Sequence, residues 1–153
     1  LRELHGREEG PPPAVDLDAE RRMGEFVRAR IASGCLTAVH DVSDGGVAVA
    51  VAEMALAANL GALLNWVEPF GIAGSFFAED QGLYVATVAD DHLLNFLSGA
   101  TAAGVEVTPI GRTIASRIIF EMKEGDFVVT LADLRQAHES FFPTLMAREL
   151  AVA

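Results

Sequence analysis

The sequence predicts an α+β protein, a layered α/β/α sandwich, on three observations. Helix-like and strand-like segments alternate through residues 16–104. Strand-like segments then cluster within residues 105–131, and a helical pattern closes the chain. The 153 residues, just over half of them apolar, suit one domain with one core.

The elements follow in order. Residues 1–15 carry Gly10 and the run Pro11-Pro12-Pro13, which favours an extended linker from a preceding domain, so the folded domain is expected over 16–153. Leu1 rather than Met at the first position is expected of a piece of a longer polypeptide. Asp16 or Asp18 can cap a helix whose apolar residues Met23, Phe26, Val27 and Ile31 recur at helical spacing, with Gly34 ending it. Residues 36–39 read as a strand and 47–58 as a helix that is apolar nearly all round and therefore buried. Gly61 stops that helix, and residues 62–66 read as a strand. Residues 68–81, with Pro69, Gly71 and Gly74, read as a loop. Residues 82–88 read as a strand, and 90–103 as a helix ended by Gly104. Strands are expected at 105–110, 113–122 and 127–131, the last two joined by a turn at 123–126, before a terminal helix over 132–150.

Charge excludes several function classes. The formal net charge of −11 argues against unaided binding to nucleic acid or to an anionic membrane surface. The most apolar stretch, residues 47–64, is interrupted by Glu53 and Asn59 and does not reach the about 18 uninterrupted apolar residues that a membrane span needs. No signal peptide opens the chain. Cys35 is the single cysteine; it forms no internal disulfide or cysteine zinc cluster and reads as a small buried hydrophobe, in keeping with a reducing, intracellular setting. No Lys or Arg occurs between Ile31 and Gly111, whereas nine carboxylates do. A phosphate met by this region must use backbone N–H groups, a bridging metal ion, or cations from another domain.

Two polar turns could carry chemistry. In His40-Asp41-Val42-Ser43-Asp44-Gly45-Gly46 a strand runs into a glycine turn that opens a helix. Free N–H donors and the positive end of a helix dipole can hold an anion there without Lys or Arg. Asp41 and Asp44 could instead take a magnesium ion or a ligand hydroxyl. The commoner use of such a turn is plainer: Ser43 or Asp44 caps the helix and the glycines permit packing. Glu79-Asp80-Gln81-Gly82 precedes a strand; its carboxylates and amide can contact magnesium or a polar ligand, or merely form a polar turn. His40 is the best-placed histidine for acid–base work, although a His beside an Asp is more often a structural pair. His5, His92 and His138 are assigned nothing. No nucleophile elbow, Walker A sequence or zinc spacing is present.

These residues resemble a known family. HDVSDGG at 40–46 followed by Ala48, Ala50, Glu53, Met54 and Ala55 resembles the "HDVSDGG-x-A-x-A-x-x-E-M-A" segment of the phosphoribosylformylglycinamidine synthases. Residues 76–84 (FFAEDQGLY) are similar to that family's "F-x-EDQGRY" segment, Ile110-Gly111 to the "IG" before its late hairpin, and residues 131–134 (LADL) to the start of its last helix. The approach from His5-Gly6 through the prolines to Asp16 is similar too. The likeness runs in order through nearly the whole chain. It implies the C-terminal domain of the second half of such an enzyme, with the fold of the C-terminal domain of the aminoimidazole ribonucleotide synthase superfamily.

The implied reaction is ATP-dependent carbon–nitrogen ligation in purine biosynthesis: formylglycinamide ribonucleotide, ATP and glutamine-derived ammonia give the formylglycinamidine, ADP and phosphate. ATP activates the amide oxygen and ammonia displaces phosphate. The resemblance places the catalytic histidine and most ligands of ATP/ADP and Mg2+ in other domains, so no catalytic residue is expected here and the fragment is expected to be inactive alone. Candidate nucleotide- or substrate-binding residues are His40, Asp41, Ser43, Asp44, Gly45, Gly46 and Gln81; candidate metal ligands are Asp44, Glu79 and Asp80. Implied partners are the remaining domains of the same synthase, a glutaminase domain or subunit and a small accessory subunit, in the cytoplasm, with no nucleic acid and no membrane. Leu83 stands where the family usually has Arg, which puts any anion contact at that position in doubt. A purely structural or interaction domain, and another member of the superfamily, are the alternatives.

Overall fold

A computed structural model describes residues 15–65, 71–122 and 125–150. The expected linker over 1–15 lies almost wholly outside them. The chain divides into two compact units, Leu1–Val51 with Glu68–Pro109, and Ala52–Val67 with Ile110–Ala153. The class is mixed α/β, with helices packed on sheets, as the alternation of patterns predicts.

The first unit begins with helix α1 (Leu17–Ala32). Asp16 is its N-cap: the carboxylate accepts from Ala19 N–H at 2.9 Å, which decides between the two expected caps. The helix ends as expected at Gly34, whose φ is +70°, with Gly34 N–H donating to Ile31 O and Cys35 N–H to Arg30 O. Strand β1 (Leu36–Asp41) pairs antiparallel with β3 (Tyr84–Val88) as a two-stranded sheet. The register slips between Leu36 and Ala38, and the hydroxyl of the intervening Thr37 donates to Thr87 O at 3.1 Å. Helix α2 (Gly46–Ala58) starts in this unit; helix α3 (Gly71–Phe77) and helix α4 (Asp90–Ala102) complete it. The core gathers Phe26 of α1, Cys35, Phe96 and Ala100 of α4, and Val105, bordered by Met23, Leu36 and Val88. The Phe26 and Phe96 rings stand 5.4 Å apart, tilted by 51°, and the Arg30 guanidinium lies 4.9 Å over the Phe26 ring. Gly24 sits in mid-helix in α1, where glycine costs about 1 kcal/mol relative to alanine.

In the second unit α2 ends at Ala58 as expected, but Gly61 is not what ends it. Asn59, at φ +52°, makes the left-handed turn, and Leu60 N–H returns to Ala55 O. Gly61 therefore belongs to β2 (Gly61–Asn65), where it serves a close approach: a Cβ there would overlap the backbone of Arg117. The sheet has the order β4 (Gly111–Ile114), β2, β5 (Arg117–Glu121), β6 (Phe127–Thr130). β2 runs antiparallel to β4 and parallel to β5, and β5–β6 is antiparallel. Ile118 and Phe120 alternate inward along β5. Helix α5 (Leu131–Leu150) is capped by Thr130, whose hydroxyl donates to Asp133 Oδ2 at 2.7 Å and accepts from Asp133 N–H at 3.1 Å. Arg135 donates to Leu56 O at 3.2 Å, placing a cation at the carbonyl end of α2.

Three expectations fail. Residues 105–110 form no strand; Val105 is buried and its N–H donates to Ala100 O, while Glu106, Thr108 and Pro109 are exposed. Residues 113–122 are two strands, because the chain bends at Ala115 and Ser116 and pairs on both sides of β2. The expected loop at 68–81 contains α3; its glycines break the helix pattern, yet Ser75 and Phe76 are buried, and burial outweighs propensity.

Replacing Phe26 by alanine should destabilise the fold by about 3–5 kcal/mol, through lost burial and a cavity beneath Phe96. Gly61→Ala should also destabilise, because the Arg117 backbone has to move. Urea unfolding read by circular dichroism checks both.

Candidate binding cleft at two paired turns

The site is built entirely within the first unit. β1 delivers the chain into the turn 42–45, and β3 begins directly after the turn 79–83. Asp41 pairs with Tyr84 in the sheet, so the two turns emerge side by side. Two hydrogen bonds join them: Val42 N–H to Leu83 O at 2.9 Å, and Gly45 N–H to Glu79 Oε1 at 2.9 Å.

The glycines have separate tasks. Gly46 has φ +69°, and a Cβ would lie 2.6 Å from Phe76 O and 2.8 Å from Ala78 O. Neither backbone oxygen can yield, so the start of α2 can rest on the end of α3 only without a side chain. Gly45, at φ +84°, would meet the β-branched Val49 side chain instead. Gly46 N–H donates to Ser43 O at 3.0 Å. The start of α2 thus already has an anion, the Glu79 carboxylate, which satisfies a free donor and favours the dipole.

The turns enclose a polar cleft of about 420 Å³. Asp41, Ser43, Asp44, Glu79 and Gln81, all named from sequence, line it. Asp80 does not. Gly45 and Gly46 shape the turn without lining the cleft. His40 lies instead on a neighbouring cleft of about 480 Å³ along α1; its Nδ1 donates to Asp41 O at 2.6 Å and stands 3.8 Å from Asp41 Oδ1. Sequence reasoning missed Glu20 of α1 and Tyr84, which complete the wall. Nothing in the local pattern around Glu20 marks it, because only the packing of α1 against Gly82 brings it here: a Cβ on Gly82 would stand 2.9 Å from Glu20 Cγ. Glu20 Oε1 is buried with no hydrogen-bond partner among the described residues.

Four carboxylates, Glu20, Asp41, Asp44 and Glu79, face this cleft, and among the described residues no Lys or Arg lines it. Such a wall attracts hard cations and hydroxyl or amino donors, and repels a bare phosphate. Among the described residues, no group of three or more His, Cys, Asp or Glu side chains has an arrangement that could hold a metal ion. Leu83 lines the cleft with an apolar side chain, while its backbone oxygen serves Val42.

Comparison with known proteins adds the context. The family described as "AIR synthase related protein, C-terminal domain" matches residues 1–123. The phosphoribosylformylglycinamidine synthase subunit PurL of Sinorhizobium fredii (strain NBRC 101917 / NGR234) is 47% identical over 152 residues, 99% of this chain and 20% of its own. PurL of Rhodopseudomonas palustris (strain BisB5) is 48% identical over 148 residues, again with 20% of its length covered. The chain therefore spans about one fifth of these relatives. The Thermotoga maritima PurL structure complexed with FGAR superposes with a TM-score of 0.70 over 80% of this chain and 22% of that one, at 17% identity, which shows a shared fold. The same protein complexed with ATP gives 0.66 over 74% of this chain and 21% of that one, at 16% identity.

Glu79→Ala should cost about 1 kcal/mol by orphaning Gly45 N–H, and Glu79→Gln less, since its oxygen still accepts. Gly46→Ala should cost more than Gly45→Ala, because the backbone of two residues opposes it where a single side chain, Val49, opposes the other. Equilibrium unfolding of the four variants gives the order.

Proposed function

Because the chain belongs to the AIR synthase related C-terminal domain family, with PurL synthase subunits as its relatives, we propose that it is the C-terminal domain of the second half of a phosphoribosylformylglycinamidine synthase. In this reading the full enzyme joins ammonia from glutamine to formylglycinamide ribonucleotide at the expense of ATP. The juxtaposition of the turns at 40–46 and 79–84 carries the proposal: the two motifs that resemble the family most are hydrogen-bonded into one wall.

The chain's own groups set what that wall does. Ser43, Gln81 and the backbone around Asp44 can bind ribose or base polar groups. Asp44 and the second oxygen of Glu79 are ligands of the type Mg2+ takes, and the magnesium, when bound, neutralises phosphate charge. Since no cation lines the cleft, Lys and Arg for a phosphate come from other domains. No residue here is proposed as a catalyst. The proposed setting is the cytoplasm; no helix of the described residues is long and apolar enough to cross a membrane.

One observation favours a second reading. The Glu79 carboxylate already occupies Gly45 N–H, so the glycine turn could be a self-contained helix cap in a purely structural domain.

The full-length protein should form the amidine only with ATP and with glutamine or ammonia; a full-length enzyme without that activity overturns the assignment. Calorimetry of the full-length protein with ADP and Mg2+ separates the two site readings. A ligand site predicts binding weakened at least about tenfold by Asp44→Asn, corresponding to about 1.4 kcal/mol. Unchanged affinity favours the structural cap. Leu83→Arg should tighten nucleotide binding several-fold if phosphate lies over this wall.

A further inference from the structure

One polar atom on the wall of the cleft is left unserved by the fold. Glu20 of α1 is partly buried there, and its Oε1 is wholly buried with no hydrogen-bond partner among the described residues. Keeping a carboxylate oxygen dry and unpaired is costly. The start of α1 does not call for it, because the Asp16 carboxylate makes the cap. The position is nonetheless provided for. Gly82 has φ +71°, and a Cβ on it would stand 2.9 Å from Glu20 Cγ. A glycine of the second turn thus leaves room for Glu20 to reach the cleft.

The chemistry of the wall narrows what can pair with Oε1. An ionised carboxylate only accepts. A phosphate is repelled by Glu20, Asp41, Asp44 and Glu79 together. A metal ion at Glu20 would lack further ligands, since among the described residues no group of three or more His, Cys, Asp or Glu is arranged to hold one. A neutral donor remains. Ser43 and Gln81 line the same cleft, and each can both donate and accept. A hydroxyl matches that mixture: it donates to Glu20 while accepting from Ser43 or Gln81. An ammonium group, which only donates, does not.

We infer that Glu20 is a specificity-determining residue of the cleft and accepts a hydrogen bond from a ribose hydroxyl of a bound nucleotide. The inference rests on the nucleotide reading of the cleft and adds to it a residue that neither motif contains. Ribose is the part of such a ligand that carries neutral, adjacent hydroxyls, and a carboxylate is a recurrent partner for them. A site built around such a bond discriminates strongly against a ligand lacking the hydroxyl, because the buried acceptor is then left unpaired.

The test uses the full-length polypeptide and Glu20→Met, which keeps the methylenes over Gly82 and the helix propensity of α1 but removes the acceptor. Calorimetry with Mg2+ and ADP, 2′-deoxy-ADP or 3′-deoxy-ADP reads the contact. The wild type should bind ADP at least about tenfold more tightly than one of the two deoxy forms, and Glu20→Met should bring that ratio within about twofold. A larger ratio remaining in Glu20→Met, or a wild type without the preference, overturns the inference. Thermal unfolding without nucleotide gives a second readout. Because Oε1 has no partner to lose, the midpoint of Glu20→Met should stay within about 2 °C of the wild type or rise. A larger fall means that the carboxylate is paired inside the polypeptide, and it overturns the inference too. A wild type that binds no ADP sinks the nucleotide reading itself and this inference with it. ADP binding that Asp44→Asn weakens, with the ribose preference intact in Glu20→Met, sinks this inference alone.

Discussion

The antiparallel pairing of β1 with β3 is the constraint on which the first unit depends. Residues 36–41 and 84–88 are far apart in sequence, yet their register places Asp41 opposite Tyr84 and lets Val42 N–H reach Leu83 O. From that bond onward the turns 42–45 and 79–83 have little freedom left. Glu79 reaches Gly45, Gly46 can rest on the last carbonyls of α3, and α1 closes over Gly82 through Glu20. A register shift of one residue would turn every side chain of β1 to the other face and separate the turns. The cleft is thus a consequence of strand pairing.

What could be read from sequence follows the range of the forces involved. Helices α1 and α4 have apolar residues at helical spacing and a glycine past the end, which are local signals. They were legible almost to the residue. The end of α2 at Ala58 was legible, but its terminator was not: Asn59 makes the left-handed turn, and only the close approach of Arg117 explains why glycine is needed at 61. The segment 105–110 has a strand's composition, but Val105 N–H donates to Ala100 O at the end of α4 and Ile110 O accepts from Asn65 N–H, so its ends are tied without a ladder. Helix α3 was hidden for the opposite reason: two glycines in seven residues weaken its propensity, and burial restores it. Of the candidate site, the members carried by the two motifs were legible. Tyr84 ends the second motif but gave no sign of its own that it lines the cleft, and Glu20 was not legible, since packing across more than fifty residues of sequence brings it to the turn at 79–83.

Charge gives the cleft its character. A stretch without Lys or Arg from 32 to 110 folds so that three of its carboxylates, Asp41, Asp44 and Glu79, share one concave wall with Glu20 of α1. Such a wall is poorly suited to hold phosphate by itself, and its one prepared anion site, the start of α2, is filled by Glu79. A carboxylate in that place does two things at once. It satisfies Gly45 N–H without a ligand, which lets the turn keep its shape by itself. It also belongs to the lining of the cleft. The structural and binding readings of the turn therefore share one geometry, and what separates them is whether positive charge arrives from outside.

The two faces of α1 differ. Its core face is complete, with Phe26 against Phe96 and Arg30 stacked over the ring. Its outer face exposes Leu17 and Ile31 and spends a glycine where alanine would hold the helix better. An exposed apolar residue alone means little, since folded surfaces carry many. Among the described residues nothing lies within 4 Å of a Cβ built on Gly24, so that glycine is a cost in helix propensity which the packing of the core face has to offset.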